Sequence, residues 1–256
     1  MKNLLTLFTA LILMLTLTML PAMAETVTAA ATPEATEAPV EELNWLQSIV
    51  AGVKEMPWYS ALVVLALIAA LVVLSVASRQ KWSSREIAFA AMCIAISFAL
   101  SSIRLFRMPQ GGSVSPAAKL PLILFALACG PVKGVVAGCA YGLLNLLMDP
   151  YVIHPVQLLV DYPLASAAIA LCCLASVMPV KNASVRLVIA VLLGYFGSYV
   201  MNVLSGVVFF AEYAGEQNAL IYSLSYNISY TGIEALICAL VACVPGMSRL
   251  TKVIRK

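Results

Sequence analysis

From residue 59 to residue 244 one apolar stretch follows another, and most charged residues fall in the gaps between them. A helix rising 1.5 Å per residue crosses a ~30 Å hydrocarbon core in about 20 residues. The run at 59–77 meets that length, and most of the later runs meet or approach it. The composition agrees: 62% of residues are hydrophobic and 11% charged, against the ~25% charged that is usual for soluble domains. Mean hydropathy is +0.99. The chain reads as an all-α integral membrane protein.

Ahead of these runs, residues 1–24 have the plan of a signal peptide. Lys2 supplies the positive start, Leu4 to Leu20 the apolar centre, and Ala22, Met23 and Ala24 the cleavage pattern. An uncleaved first helix is the competing reading. Residues 25–58 are expected to form an extracytoplasmic stalk. Its first part, ETVTAAATPEATEAPVEE, is too polar to bury a core. Its second, 43–58, has an uneven apolar face with Trp45 and Trp58, which suits a short helix at the interface. Residues 59–84 make one extra transmembrane helix and a cytoplasmic linker. Residues 85–256 then hold six spans: 87–104, 117–129, 134–148, 155–178, 187–210 and 219–244, ending in a basic cytoplasmic tail. The second of these is short and is expected to be tilted or broken. Residues 130–133 read as a tight internal turn, and 105–116 as an external loop.

Charge tests this path. The segments assigned to the inside hold ten of the fifteen Lys and Arg but only one of the twelve acids, Glu86. That bias puts the basic C-terminus in the cytoplasm of a multi-pass cell-membrane protein. Lys54, Arg104, Arg107 and Lys119 stand on the outer side as exceptions.

The polar residues that need a reason cluster at 149–163, DPYVIHPVQLLVDYP. Asp161 falls about two turns inside the helix opened by Pro155. A carboxylate at that depth is either satisfied by Arg, Lys or a helix N-terminus, or it meets a ligand with donors or positive charge. Pro163 would locally free a backbone carbonyl. His154, the only histidine, sits at a loop-to-helix junction and suits capping better than catalysis. Tyr222, Tyr226 and Tyr230 share one helical face. An outer aromatic belt suits Tyr222 but not Tyr230, ~16 Å into its span. Glu234 lies mid-span, where it pairs with a polar group or faces an aqueous cavity; the sequence leaves both open.

Other classes are excluded or weakened. The seven cysteines lie in apolar runs without CxxC spacing, so no metal site and no cofactor is expected. There is no GxxxxGK[ST] loop, so any ATP-driven step needs partner subunits. One histidine and no GxSxG argue against a hydrolase. No enzymatic activity and no nucleic-acid partner are expected. Ala91, Ala95 and Ala99 form a small-residue stripe that lets another helix approach closely, from within the chain or from a partner.

From about Arg85 to Val244 the chain resembles the thiamine-specific substrate-binding (S) component of energy-coupling-factor (ECF) transporters. The resemblance is carried by PQGGSVS (109–115), LPLILFALACGPVKGVVAGCAYGLL (120–144), DPYVIHPVQLLVDYPLA (149–165), SGVVFFAEYA (205–214) and IYSLSYN (221–227). It implies a six-helix S-component bundle, preceded here by the signal peptide and the extra transmembrane helix, with an outward-facing vitamin pocket. The loop 105–116 would be its lid. The acid and Tyr of the fourth core helix fall at Asp161 and Tyr162, and the Tyr before that helix at Tyr151. The family's glycine in SGV is Gly206 and its stacking aromatic Phe210. Its sixth-helix Tyr and Asn are Tyr222 and Asn227. Asn202 stands where a histidine is frequent, Asp161 is shorter than the Glu of some members, and the lid Trp has no counterpart. The implied partners are thiamine, the lipid bilayer, a shared ECF transmembrane subunit docking on Ala91, Ala95 and Ala99, and two ATPase subunits. The chemistry fits, since a carboxylate suits the ligand's amine and cation and aromatic faces suit cation–π contact. An S component for another vitamin or precursor, such as hydroxymethylpyrimidine, and a membrane sensor or anchor remain as alternatives.

Overall fold

A computed structural model of the chain describes residues 81–108 and 111–255. The expected signal peptide, stalk and extra span lie outside the described residues.

The first helix, α1 (Ser84–Ser102), opens with a reciprocal cap. Ser83 Oγ accepts from the Glu86 N–H and the Glu86 carboxylate accepts from the Ser83 N–H, satisfying two donors that have no helical partner. The chain then turns back through a two-residue antiparallel ladder, β1 (Phe106–Arg107) with β2 (Ser113–Val114). It enters α2 (Leu120–Cys129) through Ala117, whose φ of 57° is uncommon for a residue with a side chain.

Helix α2 has ten residues, about 15 Å of rise. The descent into the bundle therefore begins as irregular chain, with Val114, Ser115, Ala117 and Ala118 buried. Irregular backbone at membrane depth is tolerated only inside protein or along a cavity, and both conditions hold here. Lys119, expected on the outer side, instead lies inside the bundle paired with Glu234. The expected four-residue turn after α2 is a corner at Gly130 (φ 97°), and Pro131 already belongs to α3 (Pro131–Met148). Pro fits the first helical turn because its missing N–H has no partner there.

The span Pro155–Ser176, α4, is not uniform. It begins as α-helix, widens to a π-turn over Val160–Leu164 around Pro163, and tightens to 3₁₀ over Ala168–Ser176. Pro163 cannot donate along the helix, so the ladder loosens where Asp161 and Tyr162 project. Helix α3 lies directly on this backbone. A Cβ at Gly138 would run into the Ser166 carbonyl, and one at Gly142 into the Tyr162 carbonyl. Helices α5 (Ala183–Phe209) and α6 (Ala219–Ala242) are each capped by an asparagine, Asn182 and Asn218, that accepts from two backbone N–H groups. The basic tail forms a further helix, α7 (Met247–Arg255). Arg85 donates to the Val253 carbonyl (3.2 Å), fastening α7 to the start of α1.

Among the described residues five helices are long and apolar enough to cross a membrane, and α2 is a shorter apolar one. The dry core gathers around Ile123, Phe125, Cys172, Ala190 and Cys238, in the half of the bundle beyond the polar loops. The other half stays open as a cavity.

Candidate functional site

The cavity has a volume of ≈ 240 Å³ and opens beside Arg104, Gly111, Gly112, Asp149 and Tyr151. All eight sequence-selected residues line it: Tyr151, Asp161, Tyr162, Asn202, Gly206, Phe210, Tyr222 and Asn227. They come from the loop before α4, the π-turn, the C-terminal part of α5 with the residue after it, and the N-terminal half of α6.

The wall built by α4 centres on Asp161. Gln157 Nε2 donates to Asp161 Oδ2 at 2.6 Å. Among the described residues no Lys, Arg or His is ion-paired with this carboxylate; the ion pairs are Arg104–Asp149, Lys119–Glu234 and Lys133–Glu86. Tyr162 fastens the loop above: its hydroxyl donates to the Asp149 carbonyl (2.8 Å) and accepts from the Tyr151 N–H (2.7 Å).

The roof is aromatic. Tyr151 stacks on Phe210 with ring centroids 5.9 Å apart, and Phe210 leans on Tyr213 at 6.0 Å. The Tyr151 and Tyr213 hydroxyls are hydrogen-bonded at 2.9 Å. Burial, with Tyr213 adding to it, pushes the Tyr151 phenol up to about 12, so this bond keeps its proton at neutral pH. Across the mouth Arg104 meets Asp149 at 3.0 Å. Burial holds the Arg104 guanidinium below its ordinary value, and the Asp149 carboxylate acts against that shift.

The far wall is a stripe on α6. Tyr222 stacks on Tyr226 (6.0 Å), which meets Tyr230 edge-on (5.9 Å). These side chains line the cavity, so none of the three serves an outer belt, Tyr222 included. The Tyr230 hydroxyl donates to Asn227 Oδ1 (2.7 Å) and accepts from Asn202 Nδ2 (3.1 Å), tying α5 to α6. Gly206 keeps those helices close, since a Cβ there would overlap Ser223 Oγ.

The floor joins the descending segment to α6. The Ser115 N–H donates to Glu234 Oε1 (2.8 Å), and Lys119 Nζ lies 3.6 Å from Glu234 Oε2 and over the Tyr195 ring. Glu234 thus does both things the sequence left open, pairing with polar groups and lining the cavity. Higher up, the Gly112 N–H donates to the Tyr226 hydroxyl (3.4 Å), and a Cβ at Gly112 would strike the Tyr230 ring.

Sequence reasoning passed over Gln157, Tyr226, Tyr230 and Glu234 as site residues. The signal for three of them was present, because 222, 226, 230 and 234 recur at four-residue spacing. His154 caps α4 by accepting from the Val156 N–H at Nδ1 (3.1 Å) and stacks on Phe209. It does not line the cavity. Ala91, Ala95 and Ala99 are exposed along α1, so the described bundle leaves that stripe uncovered. Among the described residues no group of His, Cys, Asp or Glu is arranged to hold a metal ion.

Two cations, Arg104 and Lys119, and three acids, Asp149, Asp161 and Glu234, line the cavity. The two cations are paired with Asp149 and Glu234, which leaves Asp161 as the acid without an ion-pair partner among the described residues. Such a chamber suits a flat, singly positive molecule with hydrogen-bond donors.

Comparison with known proteins agrees with that chemistry. The family described as "Thiamine transporter protein (Thia_YuaJ)" matches residues 87–254. The thiamine transporter ThiT of Bacillus subtilis (strain 168) is 38% identical over 153 residues, 55% of this chain and 78% of the relative. A solved structure of ThiT from Listeria monocytogenes matches with a TM-score of 0.51 at 22% identity, covering 65% of this chain and 93% of that one, which shows a shared fold. With the match running from α1 into α7, the chain belongs to the thiamine transporter family, a family of multi-pass membrane transporters and not of enzymes.

Proposed function

We propose that residues 85–256 are the substrate-binding component of an ECF transporter, capturing thiamine from outside for ATP-driven uptake. The observation that carries this reading is the carboxylate of Asp161, without an ion-pair partner among the described residues, in a cavity roofed by Tyr151 and Phe210 and walled by Tyr162 and Tyr222. Thiamine brings one positive charge on its thiazolium and donors on its aminopyrimidine. Asp161 accepts from the amine and balances the charge. The aromatic faces stack on the rings, at about 0.5–2 kcal/mol per cation–π contact. Asn202 and Asn227 offer polar edges beside them, and Gly206 lets the helices close behind.

The chain has no nucleotide-binding loop, so the energy comes from two partner ATPases through a shared transmembrane subunit. The exposed Ala91, Ala95 and Ala99 stripe is the surface on which that subunit docks. The basic C-terminus faces the cytoplasm, which turns the cavity outward.

Titration of the purified full chain with thiamine, read by quenching of intrinsic fluorescence, tests the assignment. Saturable binding with one ligand per chain supports it. Tighter binding of free hydroxymethylpyrimidine reassigns the ligand, and no binding of either returns the chain to the sensor or anchor reading.

A further inference from the structure

Gln157 is 1% exposed and one turn before Asp161 on α4. Its amide is used in three directions. Nε2 donates to the Tyr151 carbonyl (2.9 Å) and to Asp161 Oδ2 (2.6 Å), while Oε1 accepts from the Ile153 N–H (3.2 Å). A side-chain amide has two N–H donors, and here both are committed. The two bonds to the loop backbone fix the amide plane, so its remaining N–H has one direction to point, toward Asp161. The pair also straddles the change from α-helix to π-turn, where Leu159 ends the first and Val160 begins the second. A carboxylate on the looser turn is thus held from the regular one.

The geometry points to Gln157 as a positioning and specificity-determining residue for ligand binding: it holds Asp161 Oδ2 and so fixes the plane in which the carboxylate accepts from a ligand amine. This rests on the thiamine reading above. One lone pair of Oδ2 is taken by Gln157, so the carboxylate plane is set by the protein and the acceptor sites left over have a fixed direction. The same amide carries the Tyr151 backbone, which places the acceptor and the aromatic roof in one frame. A ligand must then offer a donor to that carboxylate and a flat face at Tyr151 together.

Gln157→Met keeps the shape and removes the donors. Two ligands are titrated into the full chain: thiamine, and the analogue carrying oxygen in place of the pyrimidine amine. We expect Gln157→Met to weaken thiamine ~10-fold or more and the analogue by less than ~3-fold, because only thiamine donates to the aimed carboxylate. In an Asp161→Asn background Gln157→Met should cost less than ~3-fold for thiamine, since the carboxylate that Gln157 positions is already gone. Equal losses for both ligands, or the full loss persisting beside Asp161→Asn, overturn the proposal and assign Gln157 to the loop alone. Wild-type protein that binds neither ligand overturns the thiamine reading and this role with it. Wild-type binding left unaltered by Gln157→Met overturns only the role. Should Gln157→Met not hold the apo fold, Gln157→Asn, which keeps a neutral amide but draws it back from Asp161 Oδ2, carries the same comparison and the same criteria.

Discussion

Replacing Asp161 by Asn removes a charge while changing almost nothing in shape. In the empty protein the cost is small. Asn retains an oxygen that accepts from Gln157 Nε2, and the change removes a carboxylate that has no ion-pair partner among the described residues. The apo melting temperature should stay the same or rise slightly. In the complex two things are lost: attraction for a positive ligand and one charge-assisted acceptor. Attraction between unit charges ~4 Å apart at an effective dielectric constant of ~20 is about 4 kcal/mol. Part of that is offset by desolvation of both groups on binding. Truncating one side of such a contact costs about 2–5 kcal/mol, and the retained bond to Gln157 favours the lower half of that range. We therefore expect thiamine affinity to fall by about 2–3.5 kcal/mol, ~30- to ~300-fold at 1.4 kcal/mol per tenfold. Fluorescence titration and thermal melting are run side by side on variant and wild type. A lower apo melting point with unchanged affinity would refute the reasoning, because it would make Asp161 a structural carboxylate.

Ala95→Trp fills the exposed α1 stripe without touching the cavity. It should abolish uptake in cells while purified protein binds thiamine as before; joint loss of binding would show that the stripe serves the fold. Gly142→Ala drives a methyl group into the Tyr162 carbonyl, so either α3 withdraws or the π-turn shifts. It should lower stability by about 1–3 kcal/mol and weaken binding with it, read by melting and titration; a neutral result removes α3 as the support of Asp161 and Tyr162. Glu234→Gln leaves Lys119 inside the bundle without its ion pair. Breaking such a pair costs about 3 kcal/mol, the lower end of the usual range because Lys119 keeps the Tyr195 ring 4.8 Å below it. Melting of the apo protein measures this, and an unchanged melting point would mean that water already satisfies the lysine.

Membrane runs were legible because they follow local chemistry, and Pro155 marked the start of its helix. Ser83 with Glu86, Asn182 and Asn218 carry cap chemistry that sequence reasoning did not use, and Pro131, expected in a turn, opens α3. The eight residues lining the cavity were legible through family resemblance together with the depth of Asp161. What could not be read depends on partners distant along the chain. Lys119 belongs inside only because Glu234, 115 residues later, meets it there. Tyr222, Tyr226 and Tyr230 give the same spacing whether their face meets lipid or a cavity; packing of α6 against α5 and the descending loop decides. Gln157 gives no sequence signal of its own, since its value comes from two loop atoms that reach it only once the chain folds over the start of α4.

The irregular descent ahead of α2 sets an order for building the protein in the membrane. Its Ser115 N–H and its Lys119 ammonium find their partner on Glu234, the sixteenth residue of the last membrane-length helix described. During synthesis that helix leaves the ribosome after every other wall of the chamber has been made. Until then the segment has polar groups with no acceptor, and lipid offers none. It must wait at the aqueous edge, with α2 parked beside it, until α6 arrives. The N-terminal half of the bundle is thus completed by its C-terminal end, a long-range closure that delays final assembly. Chains arrested before residue 234 should keep residues 113–119 open to a membrane-impermeant label, and full-length chains should bury them.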